Sequence, residues 1–547
     1  MNSFKPKLFT VLKTYNKEQF AQDVVAGIIV AIIALPLSIA LALASGVGPE
    51  QGLYTAIVAG FIISFLGGSR VQISGPTAAF ASIVAGIVAT KGMEGLMVAT
   101  VLAGLFLIIM GVFKFGSLIK FIPYTITTGF TFGIAVTIAV GQVKDFTGLK
   151  FSSSPITTME KLSAIFSSIS TINYVALAVG VISLAVLIIM PKIKALDKIP
   201  PSLIAVILSA AIVKVFDLNV NTIGDLYTIS SRLPSIAIPD ISFDVIKSSI
   251  PDAFTIAVLA AVESLLSCVV SDGMIGDRHN SNMELIAQGA GNIGSALFGG
   301  IPATGAIART AANIKNGGRS PIAGMVHSAV LLIILVVLMP YAALIPMPAI
   351  AAILFIVAYN MSGWRECVSL LKTSPKSDVA ILLVTLVLTV VFDLVVAIIA
   401  GLLLAAILFM KRMADVTEVE SWKYIGENGV DADNINLKAV PEGTLVFELN
   451  GPMFFGVADK ISRLMFDKTK DVLILRMRGV PAMDISALRS LKSLYSDCKK
   501  NNITLILSHV NEQPMKVLEK SGFVNEIGKN NICRCIDDAI KRAEEIK

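Results

Sequence analysis

The chain has 547 residues, of which 55% are hydrophobic and 15% are charged. Soluble domains average about 25% charged residues, so this composition excludes an ordinary soluble protein and indicates extensive burial in a membrane. The net charge of +6 is small for this length and no basic stripe accompanies it, which argues against nucleic-acid binding. The five cysteines form no paired framework, which indicates free thiols. The sequence contains no recognisable nucleophile, metal-ligand set or cofactor loop. We therefore predict that the protein is not an enzyme and binds no metal or cofactor.

Apolar segments fill most of the chain between residues 23 and 411. A hydrocarbon core of about 30 Å takes about 20 helical residues, and fewer where a helix is broken inside the protein. The segment 1–22 is polar, lacks a secretory signal and is predicted to be a cytoplasmic tail, and 157–169 is amphipathic and predicted to be interfacial. We predict fourteen spans, two of them short: 23–45, 51–66, 76–90, 94–113, 121–141, 172–190, 201–216, 251–272, 284–298, 306–316, 321–340, 346–360, 377–391 and 393–411.

The distribution of basic residues sets the predicted orientation. Lysine and arginine concentrate in the N-terminal tail and in alternate short loops when both termini are placed inside. Because short loops rich in Lys and Arg stay in the cytoplasm, an even number of spans with two cytoplasmic termini is favoured. The predicted location is therefore the inner (plasma) membrane.

Two interrupted segments suggest an internal repeat. The stretches 67–77 and 299–306 each follow or contain a Gly-Gly pair, break the apolar pattern and precede a short helix. Seven spans separate them, and because this number is odd the two halves have opposite orientations. Corresponding Gly/Pro-interrupted segments in two inverted halves are the best sequence indication of a transporter's binding site.

The start of each short helix is a candidate anion site. An anion that enters a membrane protein loses water, and the unpaired N–H groups and positive dipole of a helix N-terminus replace it. Half-helices that begin near Thr77 and near Ile307 would aim these groups at the midplane, and Gly75 and Gly305 let the backbone approach a ligand. The alternative is that both segments are only kinked, closely packed helices with no ligand.

Charged residues within spans are expensive and therefore candidates for function. Arg309 lies within a turn of the second half-helix start, where it either faces the anion or pairs with a carboxylate. Glu263 is the obvious carboxylate and a candidate for proton coupling; the alternative is a static ion pair with Arg309. Ser264 and Ser267 lie in the same span and are candidates to line the site.

Several other polar residues are given structural interpretations. His327 is predicted to be a satisfied polar residue on its helix. A cluster on an inner loop is predicted to be a solvated network: Asp272, Asp277, Arg278, His279 and Glu284.

Beyond Arg412 the pattern becomes that of a small soluble α/β domain. A polar linker with an edge strand is predicted within 413–440. Ser486 follows a strand and lies at a helix start, where it is either a phosphorylation site favoured by the helix dipole or a plain N-cap. Strands are predicted at 445–449, 472–475 and 504–507, and helices at 462–465, 485–494, 514–520 and 535–545.

The residues at 26–54, 67–80, 263–266 and 299–313 together resemble the SulP family of anion transporters, and the C-terminal domain resembles a STAS domain. Within the family, the segments 33–38 and 360–362 are most similar to bacterial aerobic C4-dicarboxylate transporters.

The resemblance implies two inverted seven-span repeats, an elevator-like movement and a homodimer. It implies a core of spans 1–4 and 8–11, a gate of spans 5–7 and 12–14, a linker at 412–440 and a STAS domain at 441–547. The anion then lies between the starts of the third and tenth helices, at Thr77, Ala78, Ala308 and Arg309. Together with Gly75 and Ile307 at the same helix starts, these are the predicted substrate-binding residues. The family's cation-linked acidic position falls on Glu263, near Ser267, and glutamate there favours a proton over sodium.

Two departures from the family pattern bear on substrate and regulation. Leu37 and Leu41 stand where many members have a Gln and an aromatic residue. The wall of the implied anion site is therefore less polar, and such a site can accept a substrate with a carbon chain. Ala487 replaces a Gly of related regulatory domains, which weakens the case for regulation through Ser486. We predict a proton-coupled carrier of sulfate or a C4-dicarboxylate, with bicarbonate as a further candidate; the rivals are a passive anion channel and an anion sensor that signals through the STAS domain.

Overall fold

The computed structural model describes residues 4–117, 123–152, 155–193, 200–227, 232–236, 242–392, 394–421, 440–455 and 470–546. The chain divides into two compact units, Met1–Leu402 and Leu403–Lys547. The helices up to the second unit are α1 (Lys7–Val11), α2 (Lys17–Ala44), α3 (Pro49–Leu66), α4 (Ala78–Val112), α5 (Tyr124–Thr147), α6 (Thr158–Ser167), α7 (Tyr174–Ile189), α8 (Pro201–Val215), α9 (Ile223–Leu226), α10 (Phe243–Ile275), α11 (Ser281–Leu297), α12 (Ile307–Lys315), α13 (Pro321–Ala342), α14 (Met347–Ser362), α15 (Trp364–Thr373), α16 (Lys376–Val391) and α17 (Leu394–Val416).

Each of the fourteen predicted spans corresponds to a helix or part of one. The third and fourth spans are the two parts of α4, which is interrupted at Gly92, where φ is +69°. The predicted interfacial segment is α6. Nine helices in the described residues are long and apolar enough to cross a membrane by themselves. The short helices therefore depend on neighbouring helices to shield their backbone ends.

Several helices extend beyond the spans predicted for them. The helix of the first predicted span, α2, begins at Lys17 rather than at residue 23, because the Asn16 side chain accepts a 2.8 Å hydrogen bond from the Gln19 amide and caps the helix there. α10 begins at Phe243 and ends at Ile275, well beyond the predicted 251–272. α17 continues to Val416, beyond the predicted 411, because residues 412–414 (Arg-Met-Ala) favour a helix by intrinsic propensity.

The helices of the first unit pack closely where glycines remove side chains. A Cβ added at Gly104 of α4 would lie 2.6 Å from the Gly289 carbonyl oxygen of α11, and one added at Gly289 would lie 2.4 Å from that of Gly104. Such contacts between small residues hold membrane helices together, because lipid tails are as apolar as the side chains and give no hydrophobic drive. α4 packs on α10 and α11, α3 on α11 and α13, and α5 on α14 and α16.

Two short strands, β1 (Ser74–Gly75) and β2 (Thr304–Gly305), lie in the first unit, and five further strands form a sheet in the second unit, side by side in chain order. β3 (Glu418–Ser421) pairs antiparallel with β4 (Thr444–Asn450), which confirms an edge strand, and β5 (Val472–Gly479), β6 (Thr504–Ser508) and β7 (Ile532–Cys533) continue in parallel. The described helices are α18 (Ile485–Lys500), α19 (Glu512–Lys520), α20 (Phe523–Ile527) and α21 (Ile536–Ile546). The predicted helix at 462–465 and most of the linker lie outside the described residues.

Alternation along the strands gives the second unit two cores. Leu473 and Leu475 of β5 belong to a cluster with Leu488 of α18. Val472 and Ile474 belong to a second cluster, which includes Ala539 of α21. Because successive side chains point to opposite faces of a strand, helices cover both faces of this sheet.

Candidate functional site

The two interrupted segments meet directly. They form the short strands β1 (Ser74–Gly75) and β2 (Thr304–Gly305), which pair antiparallel. The Ala306 amide donates a 2.9 Å hydrogen bond to the Ile73 carbonyl oxygen, and the Ile73 amide donates to the Thr310 hydroxyl at 3.0 Å. The opposite directions of the strands are those expected of an inverted repeat.

A helix begins directly after each strand, and neither start is capped by a side chain. Thr77 is the N-cap residue of α4 and Ala306 is that of α12. The first N–H groups of a helix have no partner within the helix, and here no N-terminal side chain accepts them. The two positive helix ends beside one strand pair are therefore suited to an anion.

Arg309 links the first turn of α12 to the segment before α4. Its side chain is 2% exposed, and Nη2 donates to the carbonyl oxygen of Pro76. Its Nε and Nη1 atoms have no hydrogen-bond partner among the residues that the structure describes. Gly75 makes room for this arrangement, because a Cβ there would lie 2.7 Å from Nη1. A buried guanidinium with N–H groups to spare is a donor for a ligand.

Glu263 of α10 contacts the other helix start. The Thr77 hydroxyl donates a 3.1 Å hydrogen bond to Glu263 Oε2. The Glu263 side chain is partly exposed, and among the described ion pairs none joins it to Arg309. The alternative of a static Glu263–Arg309 pair therefore has no support in this geometry.

The serines of α10 differ in what they contact. The Ser264 hydroxyl lies 2.6 Å from that of Thr304 and accepts a 3.1 Å hydrogen bond from the Gly305 amide, so it fixes β2 on α10. The Ser267 hydroxyl, one turn further along, is buried, and no described residue forms a hydrogen bond with it.

The site is accessible from the side of α12. Ile307 is 40% exposed and Ala308 is also exposed, whereas Ala78 at the start of α4 is buried. The predicted positions thus come together around one strand pair, with open space beside the start of α12.

A buried carboxylate near the site was misassigned from the sequence. Glu284 is fully buried in the first turn of α11 and does not belong to a solvated network. It accepts hydrogen bonds from the Gly68 amide at 2.9 Å, from Gln72 at 2.7 Å and from Gln288 at 2.9 Å. These bonds fix the chain that leads into β1. The sequence did contain one signal for this pairing, because Gln288 follows Glu284 by one helical turn and side chains at this spacing can form a hydrogen bond. The spacing does not reveal that Gln72, from a distant segment, lies opposite Glu284.

The other members of the inner-loop cluster are partly exposed, as predicted. Asp277 lies 3.0 Å from Lys7 and 3.5 Å from Arg70. Partial burial raises the pKa of Asp277, but the hydrogen bond and charge of Lys7 and the charge of Arg70 outweigh it, so the pKa lies below its usual value.

His327 also differs from its prediction. It is fully buried in α13, and within the described ranges neither ring nitrogen has a hydrogen-bond partner, so it does not fit the prediction of a satisfied polar residue. The sequence offered no signal for this, because a lone histidine in an apolar helix does not reveal what it faces.

Ser486 does not cap its helix. The N-cap of α18 is Asp484, whose side chain accepts hydrogen bonds from the Ala487 amide at 2.8 Å and from the Phe455 amide at 2.9 Å. Ser486 lies in the first turn and is partly exposed.

Comparisons with known proteins agree with this architecture. Residues 20–385 match the Sulfate permease family and residues 436–539 match the STAS domain. The chain is 39% identical to the "Putative sulfate transporter YvdB" of Bacillus subtilis over 95% of this chain and 97% of that protein. It is 32% identical to the "Bicarbonate transporter BicA" of Picosynechococcus over 95% and 94%.

Two solved structures share the fold. The transmembrane domain of a cyanobacterial bicarbonate transporter BicA matches with a TM-score of 0.63 and 31% identity, over 70% of this chain and 98% of that one. The murine Solute Carrier 26 family member A9 anion transporter matches with a TM-score of 0.88 over 98% of this chain and 94% of that one; at 19% identity this likeness concerns the fold alone. The fourteen helical spans are those of the inverted seven-span repeat, and the chain belongs to the SulP, or sulfate permease, family of anion transporters, with a C-terminal STAS domain.

Proposed function

We propose that this chain is a secondary active transporter that couples the movement of one small anion to a proton on Glu263. The observation that carries the proposal is Arg309, which is buried beside two uncapped helix starts and has two donor nitrogens without a partner in the described part of the chain. An anion between Thr77 and Ala308 would accept those N–H groups and the free backbone amides. The dipoles are already oriented, so little reorganisation accompanies binding.

The substrate is proposed to be sulfate or a C4-dicarboxylate, with bicarbonate as a further candidate. The relatives described as sulfate and bicarbonate transporters support oxyanions of this size. Leu41 is buried and Leu37 is partly buried, at the two positions that the family resemblance assigns to the wall of the anion site, and neither side chain has a polar group. This apolar wall favours a substrate with a carbon chain.

Coupling through Glu263 follows from charge. An ionised carboxylate close to the anion repels it, and protonation removes that repulsion. Glu263 has a neutral partner in Thr77 rather than a cation, so its charge is free to change during the cycle. Ser267, with its unpartnered hydroxyl one turn away, is proposed to take part in the proton or cation site.

The proposed movement is an elevator in which a core carries the site past a gate. The core consists of spans 1–4 and 8–11, and the gate of spans 5–7 and 12–14. Helix packing supports this division: α2 and α3 pack on α13 and α4 packs on α10 and α11, whereas α5 packs on α14 and α16 and α7 on α8 and α14.

The further proposed features follow the family. We propose a homodimer in the inner membrane with both termini in the cytoplasm. The proposed domain limits are a tail at 1–22, a transport domain at 23–411, a linker at 412–440 and a STAS domain at 441–547, with Ser486 as a regulatory position.

Uptake by the full-length chain in proteoliposomes tests coupling. An inward proton gradient should drive accumulation of labelled sulfate or succinate against its gradient, without added sodium. Glu263→Gln should abolish the accumulation but retain anion binding, whereas Glu94→Gln, the same change at an exposed position, should behave as the wild type. Unaltered proton-driven accumulation in Glu263→Gln, or accumulation that requires sodium, would overturn proton coupling through Glu263. Wild-type flux without accumulation would identify a channel, and no flux of any tested anion would favour a sensor.

Arg309 tests the binding site separately. A hydrogen bond to a charged group contributes about 1.5–3 kcal/mol, so Arg309→Gln should weaken anion binding about 10- to 100-fold. Arg365→Gln, at an exposed position, is the control. If Arg309→Gln, Arg365→Gln and the wild type bind the anion with equal affinity, Arg309 does not contact the anion.

A further inference from the structure

An apolar groove of about 370 Å³ lies among α2, α8 and α13, and its lining includes none of the residues around the strand pair that are proposed to bind the anion or the proton. A volume of this size is within the range of small-molecule sites, roughly 300–1,000 Å³. All but two of its lining side chains are aliphatic, proline or methionine. They include Leu35 and Ile39 of α2, Ile207 and Ala211 of α8, and Leu338 and Met339 of α13.

The two polar side chains of the lining lie at one end of the groove. Lys214 is in the last turn of α8 and Tyr341 is in the last turn of α13. Lys214 is exposed, and among the described residues no carboxylate forms an ion pair with it. Tyr341 is 67% exposed. The groove thus combines a long apolar wall with the exposed positive charge of Lys214 and an aromatic hydroxyl at one end.

We propose that this groove binds one acyl chain of an anionic phospholipid, with the lipid phosphate on Lys214. An apolar groove on a membrane protein is filled from the bilayer, because water gains no hydrogen bonds there. Tyrosine and lysine at a helix end lie at the level of the lipid headgroups, and lysine attracts anionic ones. The apolar wall and the positive end therefore match the two parts of one lipid.

The position of the groove gives the lipid a regulatory role, which rests on the proposed elevator. α2 and α13 belong to the proposed core, whereas α8 belongs to the proposed gate. A chain held between them must shift when the core moves. The anionic lipid content of the membrane should therefore change the maximal transport rate and leave the affinity for the anion unchanged.

Native mass spectrometry of the full-length chain tests lipid binding without any measurement of flux. The protein is equilibrated with phosphatidylglycerol and phosphatidylcholine of identical chains. The wild type should retain phosphatidylglycerol preferentially. Lys214→Gln should reduce this preference about fivefold, the effect of one lysine near a charged headgroup. Lys247→Gln, at another exposed lysine, should not.

Filling the groove tests the acyl chain. Ala211→Trp should displace both lipids, whereas Val181→Trp, on the exposed face of α7, should displace neither. Retention of phosphatidylglycerol by Lys214→Gln and Ala211→Trp at wild-type levels would overturn the proposal. Equal retention of both lipids by the wild type would overturn the role of Lys214. Because Lys214→Gln is a conservative change at an exposed position, this variant remains informative if Ala211→Trp fails to fold.

Uptake measurements then distinguish the two proposals. With phosphatidylglycerol in the vesicles, the wild type should change in maximal rate but not in KM, and Lys214→Gln should lose this response. An unchanged rate would overturn the regulatory role. Preferential lipid retention without uptake of any anion would support the lipid site and overturn the proposed transport function.

Discussion

The hydroxyl of Thr77 donates a 3.1 Å hydrogen bond to the carboxylate of Glu263. Thr77 is the N-cap residue of α4, so the bond connects one of the two uncapped helix starts to a carboxylate on α10. The proposed anion and proton positions are therefore adjacent, and a change of charge on Glu263 acts on the place where the anion would bind.

Thr77→Val removes this hydrogen bond and keeps the shape of the side chain. A hydrogen bond to a charged group contributes about 1.5–3 kcal/mol, so the carboxylate should lose its fixed position and proton-driven uptake should fall about tenfold or more. Thr77→Ser retains the hydroxyl and should keep most of the uptake. The measurement is proton-driven accumulation in proteoliposomes; wild-type accumulation in Thr77→Val would show that the bond is dispensable.

Gly305→Ala should disturb the antiparallel pairing of β1 and β2. The added Cβ would lie 2.3 Å from Nε2 of Gln72, which donates to Glu284, so this pair must shift. Forcing an extra methyl into a packed core costs about 1–3 kcal/mol, and we expect transport to fall at least tenfold.

Gly86→Ala is the matched control. A Cβ at Gly86 meets nothing within 4 Å, and alanine in a helix is favoured over glycine by about 0.5–1 kcal/mol. This variant should transport as the wild type does. Labelled anion uptake and thermal stability of both variants are the measurements, and equal uptake by Gly305→Ala and Gly86→Ala would contradict the expectation.

Glu284→Gln should lower stability more than the same change at an exposed site. One oxygen becomes an NH2 group that cannot accept from the Gly68 amide or from Gln72, and each unsatisfied buried group costs about 1–3 kcal/mol. The apparent unfolding temperature of the full chain in detergent should fall by several degrees, whereas Glu94→Gln should leave it unchanged. Equal unfolding temperatures for Glu284→Gln and Glu94→Gln would show that the hydrogen bonds accepted by the Glu284 carboxylate add nothing to the stability of the protein.

The thiols of the second unit should differ in reactivity. Burial, followed by the charge of Asp497, raises the pKa of the Cys498 thiol to about 12, so this fully buried group has almost no reactive thiolate at pH 8. Cys535 is partly exposed and should react with a maleimide first. Mass spectrometry of labelled peptides checks the order, and Cys535→Ser should remove the fast label. Rapid labelling of Cys498 in that variant would contradict its burial.

Patterns local in the sequence predicted much of this fold. The positions of the fourteen spans follow from runs of apolar residues, and the two helix starts follow from Gly and Pro breaks at Gly75 and Gly305. Arg309 and Glu263 were recognisable because a charge within an apolar span is costly. Each of these signals is contained within a few turns of chain, which is why a single sequence is sufficient to read them.

What the sequence by itself determined is a membrane protein of inverted halves with two helix starts suited to an anion. The tertiary structure alone decided that those starts share one strand pair, that Arg309 keeps free donors without pairing to Glu263, and that Glu284 is buried. These features depend on contacts across long stretches of chain, such as the sequence separation of 216 between Gly68 and Glu284. Side-chain chemistry in one segment does not specify which distant donor will face it, so only the packed structure settles whether a charge is paired, solvated or held for a ligand.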